Sequence, residues 1–144
     1  MIRKFEKKDT ERVMQIWLEV NIETHDFVPS KYWLSQYQLV QKQILQADIY
    51  VYEQDKEIQG FVGMMDDYLA GIFVDKKCRS MGIGKSLLKC VKKNYPAFSL
   101  NVYQKNRRAV NFYLREGLSI VSKEIDEDTG EKDYTMAWNQ KVVR

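Results

Sequence analysis

The stretch that decides the fold lies at positions 74–86 and reads Val74-Asp75-Lys76-Lys77-Cys78-Arg79-Ser80-Met81-Gly82-Ile83-Gly84-Lys85-Ser86. The unbroken apolar run Tyr68–Val74 precedes it and predicts a central strand with both faces covered. After it, apolar residues recur at helical spacing up to about Asn94, before Pro96 stops the helix. A strand, a glycine-containing loop and a helix in this order are typical of a phosphate-binding unit.

Two common phosphate-binding loops do not fit this stretch. A Walker A loop needs G-x-x-x-x-G-K-[ST], and Gly84-Lys85-Ser86 supplies only its end, because the required first glycine falls on Arg79. A dinucleotide fingerprint needs G-x-G-x-x-G, and its third glycine falls on Leu87. No acidic residue follows about 20 positions on to hold a ribose. Both interpretations therefore fail.

The spacing that remains is R-x-x-G-x-G, formed by Arg79, Gly82 and Gly84, and it resembles the acetyl-CoA loop of the GNAT superfamily of N-acetyltransferases. Glycines leave main-chain N–H groups at a helix start open to a diphosphate, and Arg79 adds positive charge. The resemblance also implies that the preceding strand lends main-chain groups to the pantetheine arm. The cofactor-binding residues it implies are Ile72, Phe73, Val74, Arg79, Ser80, Met81, Gly82, Ile83, Gly84, Lys85, Asn106 and Tyr113.

A second motif places Asn106 seven residues before Tyr113, with Gly117 behind them, and the same spacing occurs in GNAT proteins. Asn106 predicts a helix N-cap and Gly117 a C-cap. The resemblance implies that Tyr113 protonates the leaving thiolate and that a main-chain N–H near Phe73 or Val74 holds the thioester carbonyl. The resemblance to GNAT proteins extends over essentially the whole chain. Within the superfamily, similarity to the YiaC type is carried by Trp17-Leu18, His25, Tyr32-Trp33, Gly60-Phe61-Val62 and Val102-Tyr103-Gln104-Lys105-Asn106.

The general base is where the sequence departs from the family. Many GNAT enzymes carry a glutamate at the position that Asn101 occupies here, and an amide cannot take a proton. The remaining candidates are His25, Asp66 and Asp67, or a water chain that ends at one of them. His25 is the only histidine and lies in a loop that borders the acceptor site in this fold. Tyr113 and His25 are therefore the expected catalytic residues.

The pattern of elements, together with the resemblance, predicts an α/β fold of mixed α+β, GNAT-like type. We expect a mixed, mostly antiparallel sheet of six to seven strands with splayed central strands, flanked by about four helices. The predicted strands are residues 1–6, Ile49–Glu53, Ile58–Met65, Tyr68–Val74, Phe98–Tyr103, Leu118–Ile125 and Tyr134–Trp138. Asp9 and Ser30 are the predicted N-caps of the first two helices. The predicted buried stripe of the second helix is Leu39, Val40, Ile44 and Leu45.

Charge is placed unevenly along the chain. Between Lys76 and Arg108 there are ten basic residues and no acidic one, whereas the rest of the chain carries 13 basic and 20 acidic residues. The two parts thus hold +10 and −7, which give the formal net charge of +3. A block of this kind suits a polyanion such as the phosphates of CoA. Nucleic acid ranks last as a partner because aromatic stacking residues are sparse in the block.

Composition excludes several classes of protein. With 144 residues, 44% of them apolar, and only seven Gly and two Pro, we expect one globular domain that spans 1–144. No apolar run approaches the roughly 20 residues that cross a bilayer, and charges in residues 3–9 replace the apolar core of a secretory signal. A cytoplasmic protein with no membrane partner is therefore expected. Two cysteines without a C-x-x-C pair and one histidine predict no disulfide framework and no metal site.

The sequence therefore predicts an acetyl-CoA-dependent N-acetyltransferase that moves the acetyl group to a primary amine by direct attack. A protein lysine and an N-terminal amine both stay open as acceptors, and a small amine ranks lower. The YiaC-type resemblance favours protein lysine. A GNAT-shaped sensor that binds acyl-CoA without turnover is the alternative, motivated by Asn101. The chain is expected to be a monomer or a homodimer.

Overall fold

The predicted unit around the glycine loop lies in the middle of one continuous sheet. The structure is a computed structural model that describes residues 1–140. Within that range the strands are β1 (Ile2–Lys4), β2 (Asp48–Gln54), β3 (Glu57–Met65), β4 (Tyr68–Val74), β5 (Ala97–Tyr103), β6 (Ser119–Ile125) and β7 (Lys132–Asn139). The α-helices of the same range are α1 (Thr10–Thr24), α2 (Ser30–Ile44), α3 (Ile83–Asn94) and α4 (Arg107–Arg115).

The strand order is β1-β2-β3-β4-β5-β7-β6, and every neighbouring pair is antiparallel except β4–β5. A parallel pair needs a crossover connection, and α3 provides it between β4 and β5. The seven strands and four helices of residues 1–140 confirm the predicted GNAT-like fold class.

Each face of the sheet carries its own hydrophobic cluster. On one face α3 and α4 bury side chains such as Leu87, Leu88 and Val110 against β4, β5 and β7. On the other face α1 and α2 bury Trp17 and Trp33 against β2 and β3. α3 forms where the sequence predicted a helix, and Leu87 and Leu88 lie on its buried side.

The sheet opens between β4 and β5. These strands are paired in register only at Tyr68 and Ser99, where the Ser99 N–H donates to the Asp67 carbonyl at 3.1 Å. The pairing of β3 with β4 skips Ala70, which forms a β-bulge, and a bulge bends and twists its strand. Beyond Ser99 the two strands therefore diverge into a V-shaped gap, here called the β4–β5 gap, as the splayed strands of the prediction require.

The expectation that both faces of β4 are covered is wrong. Of its seven residues only Leu69 is buried, whereas Ile72, Phe73 and Val74 are partly exposed. These residues border the β4–β5 gap, where the neighbouring strand has moved away. The apolar run therefore marks a strand whose carboxyl half is open to a ligand.

The N-caps of the first two helices differ from the prediction. Asp9 does not cap α1 with its side chain, because its carboxylate accepts hydrogen bonds from the Arg3 guanidinium at 2.8 and 3.0 Å and from the Glu6 N–H at 2.8 Å. Ser30 does not cap α2 either. Pro29 holds the N-cap position in an extended conformation, and Ser30 is the first helical residue.

The predicted buried stripe of α2 is right in part: Ile44 is buried, and Val40 is partly buried and packs against the cluster. It is wrong for Leu39 and Leu45, which are 53% and 50% exposed, and it omits the buried Trp33. The ring of Trp33 packs edge-on against Trp17 of α1, with ring centroids 6.1 Å apart. This aromatic contact sets the rotation of α2, and pattern counting that starts from the leucines cannot anticipate it.

Candidate functional site

The glycine turn presents main-chain N–H groups at the start of α3. Gly82 is the N-cap with φ of +79°, a conformation that favours glycine, and the position of an added Cβ has no atom within 4 Å. The first intrahelical bond runs from the Ser86 N–H to the Gly82 carbonyl at 3.0 Å. The N–H groups of Ile83, Gly84 and Lys85 therefore have no partner within the helix. Such a helix start binds anions.

Side chains around this turn are engaged with neighbouring elements. The Arg79 guanidinium lies 2.8 Å from a carboxylate oxygen of Glu23 and donates to the Thr24 hydroxyl at 3.4 Å. Ser80 has φ of +67°, and its hydroxyl accepts a bond from Arg108 at 3.4 Å. Arg79 thus ties the turn to the end of α1, and its charge is shared with Glu23 instead of lying free for a phosphate.

Some of the predicted loop residues can offer a ligand only a main-chain group, and others can also offer a side chain. The Ile83 side chain is 2% exposed and lies in the core, so that only its N–H can face a ligand. Met81 is 67% exposed. Lys85 is also exposed and leaves its ammonium available near the N-terminus of α3. A Cβ on Gly84 would reach Ile72 and Val74 at ordinary contact distance, so the start of α3 lies directly over the open half of β4.

The main chain of β4 faces the β4–β5 gap with alternate residues. The Asp75 N–H donates to the Gln59 carbonyl at 2.8 Å, toward β3. Because the direction of N–H groups alternates along a strand, the Phe73 N–H also points to β3, and the Ile72 and Val74 N–H groups point into the gap. Of the two residues predicted to hold the thioester carbonyl, Val74 faces the gap and Phe73 does not. The Phe73 ring stacks on Phe61 with centroids 5.0 Å apart.

Tyr113 lies on the inner face of α4. Its side chain is 7% exposed, and burial, followed by the charge of Tyr68, raises its pKa above the usual value. The position of α4 is fixed at both ends. The Asn106 Oδ1 accepts the Ala109 N–H, and Gly117 with φ of +94° closes the helix while the Leu118 N–H donates to the Tyr113 carbonyl. Both caps confirm the sequence prediction.

His25 is held in a way that does not suit a general base. Because Asn106 Oδ1 accepts the Ala109 N–H, its amide nitrogen faces His25 Nε2 at 3.3 Å. The other ring nitrogen, Nδ1, donates to Asn21 Oδ1 at 3.0 Å, which assigns the neutral tautomer. Burial lowers the pKa of His25 to about 4, against the opposing charge of Asp26. Both nitrogens are engaged, so the ring links α1 to the N-cap of α4.

The other predicted base candidates lie at the closed end of the gap. Asp66 and Asp67 form the β3–β4 turn, next to the only registered pair of β4 and β5. Asn101 takes part in a chain of hydrogen bonds. It accepts from the Tyr68 hydroxyl at 2.8 Å and donates to the Thr135 hydroxyl at 3.0 Å. This chain crosses the gap from β4 through β5 to β7.

An aromatic and acidic surface borders the gap on the side of the α1–α2 loop, and the sequence analysis did not assign it. The Tyr103 hydroxyl donates to Asp126 at 3.0 Å, and the Tyr32 hydroxyl donates to Asp128 at 3.2 Å. The ring of Tyr103 packs edge-on against His25 and Phe27, with centroids 5.0 and 5.4 Å apart. We call this set (Tyr32, Phe27, Tyr103, Asp126 and Asp128) the acceptor surface.

Only one feature of the sequence indicates the acceptor surface. The turn between β6 and β7 is rich in acidic residues, but its contact with Tyr32 joins positions 96 residues apart. Burial and then the charge of Asp128 raise the pKa of Tyr32 to about 12. Most of the basic block thus lies around α3 and α4, and carboxylates lie near β7. Lys105 of the block is the exception, because it lies over the Phe27 ring and pairs with Glu131.

Two further observations concern the range 1–140. These residues contain no group of three or more His, Cys, Asp or Glu side chains that could hold a metal ion. Within them, every helix is also too short or too polar to cross a membrane.

Comparison with known proteins defines the class. The family model of the acetyltransferase (GNAT) domain matches residues 23–139. The chain is 35% identical over 140 residues to the peptidyl-lysine N-acetyltransferase YiaC of Escherichia coli, across 96% of each chain. The solved structure of apo YjaB from Escherichia coli has a TM-score of 0.82 and 24% identity, with 95% of each chain covered. YncA from Salmonella typhimurium, solved with its cofactor acetyl-CoA, has a TM-score of 0.70 and 13% identity, covering 100% of this chain and 95% of that one.

This chain belongs to the GNAT family of acetyltransferases. The family assignment and the similarity to the YiaC type, both expected from the sequence, are confirmed. It is an N-acetyltransferase.

Proposed function

We propose that this enzyme acetylates the side-chain amine of lysine residues in proteins. The observation that carries the proposal is the division of charge across the β4–β5 gap. A basic side suits the phosphates of the donor, and the acidic, aromatic acceptor surface suits a cation on a long apolar stem, such as lysine. The similarity to a peptidyl-lysine N-acetyltransferase over almost the whole of both chains supports the same acceptor.

The donor is proposed to lie along β4 with its diphosphate at the start of α3. The N–H groups of Ile83, Gly84 and Lys85 bind the diphosphate, and Ser80 and Met81 shape the turn around it. The pantetheine arm enters the gap and bonds the main chain of Ile72 and Val74 as an added strand does. Gly84 lies beside the Ile72 and Val74 side chains, so the start of α3 adjoins the part of β4 that would bond the arm. Asn106 contributes by fixing α4 beside the gap.

Tyr113 is proposed as the acid that protonates the departing thiolate. Its burial and raised pKa keep the hydroxyl protonated, as the role of a proton donor requires. A phenol of pKa about 10 opposite a thiol of about 8.5 is mismatched by about 2 kcal/mol before any shift. A hydrogen bond from the phenol to the forming thiolate, in a site that excludes water, offsets this mismatch.

The acceptor amine must lose a proton before it attacks. A lysine amine of pKa about 10.4 costs about 4.6 kcal/mol to deprotonate at pH 7, against about 1 kcal/mol for an α-amine of about 7.8. A lysine acceptor therefore depends on a base more strongly than an amino terminus does. The neutral Val74 or Ile72 N–H then stabilises the oxyanion that forms on the thioester carbonyl.

The experiment compares acceptors that differ in one feature. We would incubate the enzyme and its Tyr113→Phe variant with acetyl-CoA and four acceptors. These are a lysine peptide with a blocked amino terminus, its lysine-to-arginine counterpart, a lysine-free peptide with a free amino terminus, and a polyamine. Thiol release gives the rate, and mass spectrometry locates the acetyl group. We expect acetyl on the lysine side chain only, with transfer reduced in the variant. Acetylation of only the α-amine or the polyamine would overturn the proposal.

A second candidate is favoured by Asn101, which stands where many relatives carry a base. In that case the chain binds acyl-CoA and does not turn it over. Tight CoA binding, with thiol release no faster than without protein for every acceptor, would select this function. The same assay therefore separates the two candidates.

A further inference from the structure

Asp133 of β7 carries a buried carboxylate oxygen without a partner. Its Oδ1 is shielded from solvent and has no hydrogen-bond partner among the described residues. Asp133 pairs in register with Tyr103 of β5 on one side and with Glu124 of β6 on the other. The side chain as a whole is partly exposed, but an oxygen that is shielded from water and lacks a partner is costly, because its lost hydration is not replaced. Such a group in an enzyme is a candidate for contact with substrate.

The face of the sheet on which Asp133 lies is the face of the acceptor surface. Side chains alternate along a strand, so Asn101 and Tyr103 of β5 share one face, and Thr135 and Asp133 of β7 share one face. The bond between Asn101 and Thr135 shows that these are the same face. The opposite face of β5 and β7 carries Leu100 and Met136 in the cluster under α3 and α4. Asp133 therefore lies on the side from which the acceptor approaches.

The level of Asp133 along the sheet matches the proposed position of the thioester. Tyr68 is in register with Ser99, the strands are parallel, and the bulge at Ala70 takes up one residue of β4, so Tyr103 of β5 lies at about the level of Phe73, between Ile72 and Val74. Asp133 is the direct partner of Tyr103 on the next strand. With strands about 4.8 Å apart, Asp133 lies one strand beyond β5, the edge of the gap, so water has to connect its carboxylate to the acceptor amine.

The charges around Asp133 make its carboxylate a stronger base. Burial, followed by the charges of Glu124 on β6 and Asp126 in the following turn, raises its pKa. Its own charge reaches the gap, because burial and then Asp133 and Asp126 raise the pKa of Tyr68 on β4. From β5 the facing titratable group is Tyr103, whose pKa is also raised by burial. All these neighbours are acidic or neutral, so none of them stabilises the ionised form.

Other carboxylates of the same surface are already engaged. Asp126 accepts bonds from the hydroxyl groups of Tyr103 and Thr129, and Asp128 accepts from Tyr32. Glu124 is exposed and accepts from the Ser122 hydroxyl at 3.0 Å. Asp133 is thus the carboxylate of this surface, among the described residues, that retains a shielded oxygen with free lone pairs.

We propose that Asp133 is the general base of the acetyl transfer and takes the proton of the acceptor ammonium through a chain of water. The neutral amine then attacks, the N–C bond forms and the C–S bond breaks. The second amine proton reaches the thiolate by way of Tyr113, and the proton on Asp133 returns to solvent. The products are the N-acetyl amine, CoA thiol and one proton. The inference rests on the proposed lysine acceptor, because a lysine needs such a base most.

The test measures kcat/KM for a blocked lysine peptide between pH 6 and pH 10 in the wild type and in Asp133→Asn. We expect a loss of about 100-fold at pH 7 that shrinks to less than about tenfold at pH 10, where the amine is deprotonated without help. Glu124→Gln should shift the acid limb of the profile to lower pH, because one neighbouring negative charge is removed. Asp55→Asn, in the distant β2–β3 turn, is the matched control and should keep the wild-type profile.

Two measurements separate a chemical role from a structural one. CoA affinity and thermal unfolding of Asp133→Asn should match the wild type, and a hydroxylamine acceptor, neutral at pH 7, should restore most of its rate. An equal loss at every pH, or activity within twofold of wild type throughout, would overturn the assignment. If the wild type itself does not acetylate the lysine peptide, the proposed function fails. If the wild type acetylates the lysine peptide but Asp133→Asn does not show the expected pH-dependent loss, the proposed function stands and the base is another group.

Discussion

The two sides of the β4–β5 gap are built in different ways. The donor side is one continuous stretch, residues 72–86, that presents mainly main-chain N–H groups within a basic block. The acceptor side is assembled from side chains of the α1–α2 loop, α2, β5 and the β6–β7 turn, and it is acidic and aromatic. A main-chain site constrains a few glycines and leaves most side chains free to vary. A side-chain site changes with each substitution, so it is the side that sets acceptor choice.

The largest effect should come from Tyr113, the proposed acid. Tyr113→Phe removes the hydroxyl proposed to protonate the thiolate, and we expect kcat to fall about 100-fold while the Kd for CoA changes less than twofold. Stopped-flow thiol release and calorimetric CoA binding measure the two quantities. Tyr95→Phe is the control, because Tyr95 bonds Asp48 at the closed end of the gap and should leave kcat unchanged. Unchanged turnover in Tyr113→Phe would assign the acid to another group.

The next effect concerns the support of the donor side. A Cβ on Gly60 of β3 would lie 2.9 Å from the Phe73 carbonyl oxygen and 3.1 Å from Ile83 Cγ2. Gly60→Ala should therefore push α3 away from β4, lower the free energy of unfolding by about 2 kcal/mol and weaken CoA binding about tenfold. In contrast, Gly130→Ala at the β6–β7 turn meets open space at φ of +74°, and should cost about 1 kcal/mol of strain without affecting CoA binding. Equal CoA affinities of the two variants would contradict the account.

The next prediction concerns His25, whose burial as a neutral ring should make the free energy of unfolding depend on pH. Its folded pKa of about 4 lies below the unfolded value of about 6.5, so the unfolded chain binds the proton first as the pH falls. Stability is then complete above the unfolded pKa and is lost as pH falls from about 6.5 towards 4. Between pH 8 and pH 5 the wild type should lose about 2 kcal/mol more than His25→Gln in urea unfolding. Equal losses would show that the ring is not held neutral.

The same variant separates a base from a structural link. Because both ring nitrogens are engaged, kcat/KM of His25→Gln should fall less than tenfold at pH 7.5, the residue acting by positioning α4. A loss of 100-fold or more that disappears at high pH would restore His25 as the base.

The smallest effect should come from the charge of the acceptor surface. The double variant Glu127→Gln and Asp128→Asn should raise the KM for a lysine peptide with basic flanking residues about fivefold, and leave the KM for acetyl-CoA unchanged. The difference should shrink at 0.5 M salt, because exposed charges are screened. Asp55→Asn, in the distant β2–β3 turn, is the control. A rise in the KM for acetyl-CoA instead would place the donor on the wrong side of the gap.

The sequence predicted those features whose cause is local. Gly82, Gly84 and the caps Asn106 and Gly117 act within a few positions of their own backbone, so their spacing specifies them. The apolar run of β4 likewise predicted the right strand. Its open carboxyl half was missed, because the divergence from β5 depends on a partner strand whose paired residue, Ser99, lies 31 positions after Tyr68.

The prediction failed where distant side chains decide. Arg79 follows the family motif, yet its guanidinium is paired with Glu23 of α1, 56 positions away in sequence. Asp133 was part of an acidic turn in the sequence, and only the register with Tyr103 places it one strand from the gap. Leu39 and Leu45 of α2 were predicted to be buried, but the helix instead buries Trp33 against Trp17. A residue's type and spacing do not report these contacts.

A crystal structure of this chain with CoA tests the central claim most directly. The account predicts the diphosphate within hydrogen-bond distance of the N–H groups of Ile83, Gly84 and Lys85. The pantetheine should bond the main chain of Ile72 and Val74, with its sulfur in the β4–β5 gap beside Tyr113. A diphosphate bound mainly by lysine and arginine side chains elsewhere, with the gap empty, would contradict it.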